Sequence, residues 1–266
     1  IAPVDSDGTD NALYRLGDDK VVRLPRIDWA RQQVAKEHRW LPKLSPHLPL
    51  AIPTPLAMGE PGELYPWNWS VHRWLEGETA TPERLADLNE AATTLAQFIT
   101  ALQRIDASAG PAPGAHNVGR GVPLAARDAP VRAAIDALRD KIDARAATTA
   151  WETALAAPAW RRPPVWIHGD LQSGNLLVQH GRLTGVIDFG LLGVGDPACD
   201  AMIAWTLFTG ESREAFRAAL ALDEATWARA RGWTLSVALI ALPYYEKTNP
   251  AIVAQARHAL EETLAG

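Results

Sequence analysis

Two apolar segments in one short stretch, each closing on a carboxylate, constrain this chain more than any other feature. From Val165 to Asp200 the sequence reads VWIHGDLQSGNLLVQHGRLTGVIDFGLLGVGDPACD. Val165-Trp166-Ile167 leads into His168-Gly169-Asp170, and Asn175 stands five residues beyond Asp170. Gly185-Val186-Ile187 leads into Asp188-Phe189-Gly190. A strand that stops at a carboxylate puts it at a sheet end, where ligands usually meet a sheet. An alcohol is a poor nucleophile near pH 7, and a carboxylate that accepts its hydrogen bond orients the oxygen and takes the proton as the new bond forms. Magnesium already bound to nucleotide phosphates needs few protein ligands, so one amide oxygen and one carboxylate suffice. Asp170 is therefore expected as the catalytic residue, with Asn175 and Asp188 as metal ligands for Mg²⁺. Gly169 and Gly174 are expected to allow tight backbone geometry around them. The competing reading makes HGD a polar turn after a buried strand and Asp188 a turn cap; the complete set at this spacing weighs against it.

HGDLxxxN followed by IDFG and GDPAxD resembles the aminoglycoside phosphotransferase family, small-molecule relatives of the eukaryotic-type protein kinases. The match covers residues 165 to 205 most strongly and extends plausibly from residue 1. Macrolide phosphotransferases more often look like HGDxxxxH with an Asp-Trp pair, and Asn175 and Phe189 lean away from them. The resemblance implies an α+β, two-lobed, protein-kinase-like fold. A small antiparallel nucleotide-binding lobe over 1–77 would join a larger, mainly helical lobe over 78–266 that carries the catalytic loop and acceptor site. It implies ATP or GTP as cosubstrate. It also implies that His168 braces the catalytic loop and that Asp200 accepts backbone hydrogen bonds from it. Asp196-Pro197 looks like an N-cap followed by Pro at the first helical position.

The strand and helix signals agree with that layout. Asp7-Gly8 and Gly17-Asp18-Asp19 separate three short strands, Ile1–Val4, Ala12–Leu16 and Lys20–Leu24. Ala30, Val34, His38 and Leu41 give Trp29–Leu44 a helical spacing, with Pro42 and Pro46 placed to close it. Ile52–Met58 and Trp69–Leu75 read as two more strands. Thr81-Pro82-Glu83 is a helix start, with Leu85, Leu88, Leu95, Phe98 and Leu102 on one face. Residues 107–123 are rich in Gly, Pro and Ala and read as loop. Val131, Ile135, Leu138 and Ile142 mark a further helix, and 198–264 is largely helical.

A kinase-like small lobe needs a cation on its third strand for the nucleotide phosphates. The family usually has Lys there; this chain has Val21-Val22-Arg23-Leu24, so Arg23 is the candidate, with Arg26 behind it. Glu37, fourteen residues on, is its expected carboxylate partner. Ser6 and Thr9, in a loop with a single glycine, could donate to phosphate oxygens. Arg73, Trp74 and Leu75 match the hinge whose backbone would read the base. Tyr65, Trp67 and Trp69 add an aromatic surround that serves either packing or base stacking.

Composition narrows the partners. The chain has 266 residues, 47% hydrophobic and 21% charged, with a formal charge of −5. No basic stripe invites nucleic acid, and no run is apolar and long enough to span a bilayer. Cys199 is the only cysteine, which excludes an intramolecular disulfide and a Cys-rich metal site. A cytoplasmic monomer or homodimer is expected. The acceptor is expected to be a cationic or sugar-like small molecule, first an aminoglycoside-type antibiotic, whose O-phosphorylation would confer resistance. The alternatives are a metabolic kinase for choline, homoserine or an amino sugar, and a pseudokinase-like module that holds nucleotide without transferring phosphate. A polycationic acceptor needs carboxylates in its pocket. Asp223, Glu224, Glu246, Glu261 and Glu262 are available in the C-terminal third.

Overall fold

The computed structural model describes residues 1–4, 8 and 10–265. The N-terminal region is one antiparallel sheet with a helix laid on it. Its strands are β1 (Ala2–Pro3), β2 (Asn11–Leu16) and β3 (Lys20–Pro25). Helix α1 (Arg31–Leu44) follows, and then β4 (Pro55–Gly59) and β5 (Trp69–Arg73). The spatial order is β1-β2-β3-β5-β4, so the third strand lies at the centre of the sheet, while α1 packs over β4 and β5. Arg23 sits opposite Leu13 on β2 and opposite Ser70 on β5. Pro42 lies inside the last turn of α1 and does not end it; Pro46 opens the next short turn, Ser45–His47.

Thr81-Pro82 does not start the long helix. It starts a single 3-10 turn, Pro82–Arg84, and Leu85 then returns to extended backbone and is buried. After the two-residue strand β6 (Glu78–Thr79) and that turn, helix α2 (Leu88–Arg104) is capped by Asp87, whose carboxylate accepts from the amides of Asn89 and Glu90. A carboxylate satisfies two of the unpaired first-turn amides and complements the helix dipole, so Asp87 is the better stop for the chain's extended approach. Leu95, Phe98, Ile99 and Leu102 of α2 are fully buried. Each such side chain contributes roughly 1.5–3 kcal/mol on leaving water.

Helices α3 (Asp128–Ala137) and α4 (Ala144–Ala156) come next. The segment that carries Asp170, Asn175 and Asp188 follows as β7 (Val165–Ile167), β8 (Leu176–Gln179), β9 (Arg182–Val186) and β10 (Gly193–Gly195). A nine-residue 3-10 helix, Pro197–Trp205, leads to α5 (Gly210–Leu220), α6 (Glu224–Tyr245) and α7 (Pro250–Ala265). The α3 helix stops at Ala137, so Ile142 falls in the turn beyond it. β10 pairs antiparallel with β7, and β8 with both β6 and β9. Several contacts tie the two lobes together, among them an aromatic pair and a backbone exchange. Trp40 of α1 meets Trp166 of β7 edge-on at 4.9 Å. Ala51 exchanges backbone hydrogen bonds with Thr184 and Val186 around β9.

Candidate active site

β7 ends at Ile167, and the chain then turns sharply at Gly169, whose φ is +84°. A Cβ there would lie 2.5 Å from the Leu191 carbonyl oxygen, so only glycine fits. Gly174 differs: it has ordinary backbone and open space around it, and its expected role in tightening the loop is not needed. Asp200, fully buried, accepts from the amides of His168 (2.7 Å) and Gly169 (2.8 Å). This one carboxylate from the Pro197–Trp205 helix fixes the turn that carries Asp170.

His168 is occupied at both ring nitrogens. The Asp170 amide donates to Nδ1 at 3.2 Å, and Nε2 lies 3.0 Å from the Ile187 carbonyl. Nδ1 thus accepts and Nε2 donates, which is the neutral ring. Burial pushes its pKa down. A neutral, doubly engaged imidazole braces the segments ending at Ile167 and Ile187 and has no proton site left for general-base work.

Asp170 lies at the edge of a cavity with a quarter of its side chain exposed. Its Oδ2 accepts from Gln172 and from Asn175, both at 3.2 Å. The Asn175 amide nitrogen also donates to the Asp170 backbone carbonyl at 2.8 Å. The nitrogen of Asn175 is thereby spent, and its oxygen has no partner among the described residues. Burial raises the Asp170 pKa; the Arg120 guanidinium opposes this, and Asp188 adds to it. Arg120 was not legible in the sequence. Its Nη2 is 3.7 Å from Asp170 Oδ1, the residue is 9% exposed, and its Nε has no hydrogen-bond partner. It comes from the loop before α3, where only a general richness in Gly and Pro was readable.

Asp188 takes a left-handed conformation, φ 62° and ψ 69°, uncommon for a residue with a side chain. Its Oδ1 accepts weakly from the Gly190 amide at 3.4 Å, and the side chain is 42% exposed. Among the described residues no group of three or more His, Cys, Asp or Glu is placed to hold a metal by itself. The Asn175 oxygen and the open Asp188 carboxylate are hard oxygen donors. They fit a magnesium ion that brings phosphate oxygens with it.

Arg23 reaches across from β3. Its Nη1 donates to both oxygens of Glu37 on α1, at 2.9 and 2.7 Å, and its Nη2 is 3.5 Å from Asp188 Oδ1. Burial disfavours charge on this guanidinium, but Glu37 and Asp188 outweigh it and hold the pKa above its ordinary value. The expected pair is thus in contact and also touches the segment holding Asp188. Lys36, next to Glu37, is a second residue the sequence reading passed over. Its buried ammonium donates to the carbonyls of Gly190 (2.6 Å) and His116 (3.1 Å). Burial lowers its pKa to about 8. Arg26 is exposed on the rim.

At the hinge, the Arg73 amide donates to Thr54 and the Trp74 amide to Asp19. Of the three hinge amides, Leu75 alone has no partner among the described residues. The Arg15 guanidinium covers one face of Trp74 at 4.0 Å, Trp69 lies over Gly59, and Tyr65 bonds the Pro25 carbonyl and meets Trp67 edge-on. Ser6 and Thr9 lie outside the described residues.

The model of the phosphotransferase enzyme family matches residues 2–233. The chain belongs to that family. No curated protein is significantly similar to it in sequence. Among solved structures, this phosphotransferase is similar to the GDP and kanamycin complex of an APH(2") enzyme, with TM-score 0.73 and 20% identity over 98% of this chain and 91% of the other. It is similar to the gentamicin complex of APH(2")-IIa, with TM-score 0.67 and 19% identity over 100% and 91%. The macrolide 2'-phosphotransferase MphH from Brachybacterium faecium, as apoenzyme, gives TM-score 0.63 and 26% identity over 97% and 90%. Asn175 and Phe189, which lean away from macrolide enzymes in the sequence, therefore do not set the chain apart from them by overall identity. The fold of this phosphotransferase is the two-lobed kinase-like one, with an antiparallel sheet lobe and a mainly helical lobe. Among the described residues no helix is long and apolar enough to cross a membrane.

Proposed function

We propose that the protein moves the γ-phosphoryl group of ATP or GTP to a hydroxyl of a small organic molecule. The observation that carries this is the hydrogen-bonded unit of Asp170 and Asn175. The amide nitrogen of Asn175 binds the aspartate's own carbonyl and carboxylate, so the base and one metal-ligand oxygen are held as one piece. Asp170 accepts the acceptor's hydroxyl proton while the hydroxyl oxygen bonds to the γ-phosphorus and the bridge to the β-phosphate breaks. Nucleoside diphosphate leaves. Asn175 and Asp188 would hold Mg²⁺, which neutralises charge on the phosphates. Arg23, fixed by Glu37, faces the α- and β-phosphates, and the free Leu75 amide is the hinge donor best placed to read the base. Ser6 and Thr9 remain proposed phosphate donors. The lobes meet between residues 77 and 78 in this reading, and the triphosphate donor supports a cytoplasmic setting.

Two of the structural neighbours were solved with kanamycin or gentamicin, so aminoglycosides enter the acceptor panel as the class those proteins bind, with antibiotic resistance as the phenotype to score. Choline, homoserine and amino sugars complete the panel. The test is acceptor-dependent release of nucleoside diphosphate from Mg·ATP and Mg·GTP, with Asp170→Ala as control. Release that persists in the variant would remove Asp170 from the chemistry. Nucleotide binding without release for any acceptor would favour the pseudokinase-like module.

A further inference from the structure

The cavity at Asp170 continues away from the nucleotide side, between the catalytic loop and helices α6 and α7. It is a shallow recess with about 70 Å³ of water-accessible space that opens to solvent, so a ligand would lie against its wall and extend outward. Its wall is built by Met202, Val237, Ala238, Ala241, Ile252 and Ala256. Two threonines also line it, but their hydroxyls are engaged: Thr234 donates to Ala230 and Met202, and Thr206 to Ile203. The remaining polar groups are the amides of Gln172 and Gln255. Among the described residues Asp170 is the only carboxylate on the lining, and Arg120 already stands beside it.

Among the described residues the five acids singled out for a cationic ligand are placed elsewhere, and Glu211 and Glu214 are likewise off the lining. Asp223 caps α6 through Thr226. Glu224 pairs with Arg217, Glu246 with Lys141 and Glu262 with Arg213. Glu261 is exposed and off the lining. A polycation entering this cavity would shed water from its ammonium groups and find one shared carboxylate in return. An uncharged surface would lose nothing comparable and would bury apolar area.

We propose that this wall selects an acceptor that is uncharged where it meets the protein: a hydroxylated small molecule with an apolar face, laid against α6 and α7 with a hydroxyl turned to Asp170, polycations being excluded. The phosphotransfer reading enters only in the direction of that hydroxyl; binding to the wall does not depend on it.

Calorimetric titration of the full chain without nucleotide tests the proposal with two probes. One is erythronolide B, an uncharged polyhydroxylated macrolactone; the other is kanamycin, a polycation without an apolar face. Erythronolide B is expected to bind at least about tenfold more tightly, a difference of ~1.4 kcal/mol. Ala241→Glu and the isosteric Gln255→Glu should each weaken erythronolide B severalfold and narrow the gap to kanamycin, with the melting temperature as the check on folding. Kanamycin binding as tightly or more tightly, or binding of neither probe, overturns the proposal. Erythronolide B binding that resists both carboxylates also overturns it. If it binds and is displaced from the wall as expected, yet no nucleoside diphosphate is released with Mg·ATP or Mg·GTP, the wall assignment stands and the phosphotransfer reading falls.

Discussion

Two arginine–aspartate contacts face the cleft, and they are built differently. On the proposed nucleotide side Arg23 stands 3.5 Å from Asp188 and is itself clamped by Glu37, which is 2% exposed. On the acceptor side Arg120 stands 3.7 Å from Asp170, with an unpartnered Nε and the face of Trp233 5.9 Å away. The first arginine is locked from behind by a buried carboxylate. The second has only the aspartate it serves. A locked cation suits a group that must keep its place through each turnover, such as the polyphosphate of a nucleotide. A cation with a free nitrogen can exchange partners as charge moves, and this one stands beside the proposed base.

The sharpest way to break the comparison is to remove the base. Asp170→Asn should cut turnover by about 10²–10⁴, the usual share of a positioned general base, while nucleotide affinity stays near wild type. Isothermal titration beside a diphosphate-release assay reads both. Unchanged turnover would leave Arg120 with nothing to serve.

Asp188→Asn should come next in size. It removes a charged ligand, so both turnover and the magnesium dependence of nucleotide binding should fall. Binding that responds to Mg²⁺ as before would take Asp188 out of the metal role.

Glu37→Gln tests the lock. Leaving Arg23 with an uncompensated buried charge should cost about 3–5 kcal/mol of stability and raise the nucleotide KM by about tenfold, or ~1.4 kcal/mol. A melting curve and a nucleotide titration that both match wild type would show that Asp188 alone positions Arg23.

Arg120→Met should lower kcat with little loss of stability, and it should move the acid limb of kcat/KM to higher pH. The sign follows from the groups around Asp170. Burial raises its pKa, Arg120 pulls it down and Asp188 pushes it up, so losing the arginine lets it rise further. A lower rate with an unmoved limb would mean that Arg120 acts on something other than the base.

The smallest effect separates two glycines. Gly169→Ala should destabilise by more than about 1 kcal/mol, because a Cβ there meets backbone at positive φ. Gly174→Ala should stay within about 0.5 kcal/mol, as surface changes usually do. Chemical denaturation of the pair decides it.

How much was readable in advance follows the distance over which each feature is encoded. The Asp170–Asn175 unit lies within five residues, where residue chemistry and spacing pointed to it; the Asp200 brace, thirty residues on, was implied by the family resemblance. The Arg23–Glu37 pair is a strand residue and a residue of the next helix, and it was the resemblance to the family's small lobe that matched them as partners. The start of α2 was misread because Thr81-Pro82 and Asp87 both carry N-cap chemistry. Which one caps the long helix depends on Leu85 reaching the core, a tertiary matter.

The sequence by itself determined the strand-end carboxylates, the amide beside them, the strand and helix order of the sheet lobe, and the family. These follow from residue chemistry and short-range spacing. Only the tertiary structure decided that Arg120 lies at Asp170, that Lys36 ties α1 to the Asp188 segment, and that the acids of the C-terminal third turn away from the cavity. Each of these needs elements far apart in the chain to pack against one another. Side-chain direction on a helix such as α6, largely apolar around its circumference, is set by the neighbours that bury it and not by its own pattern.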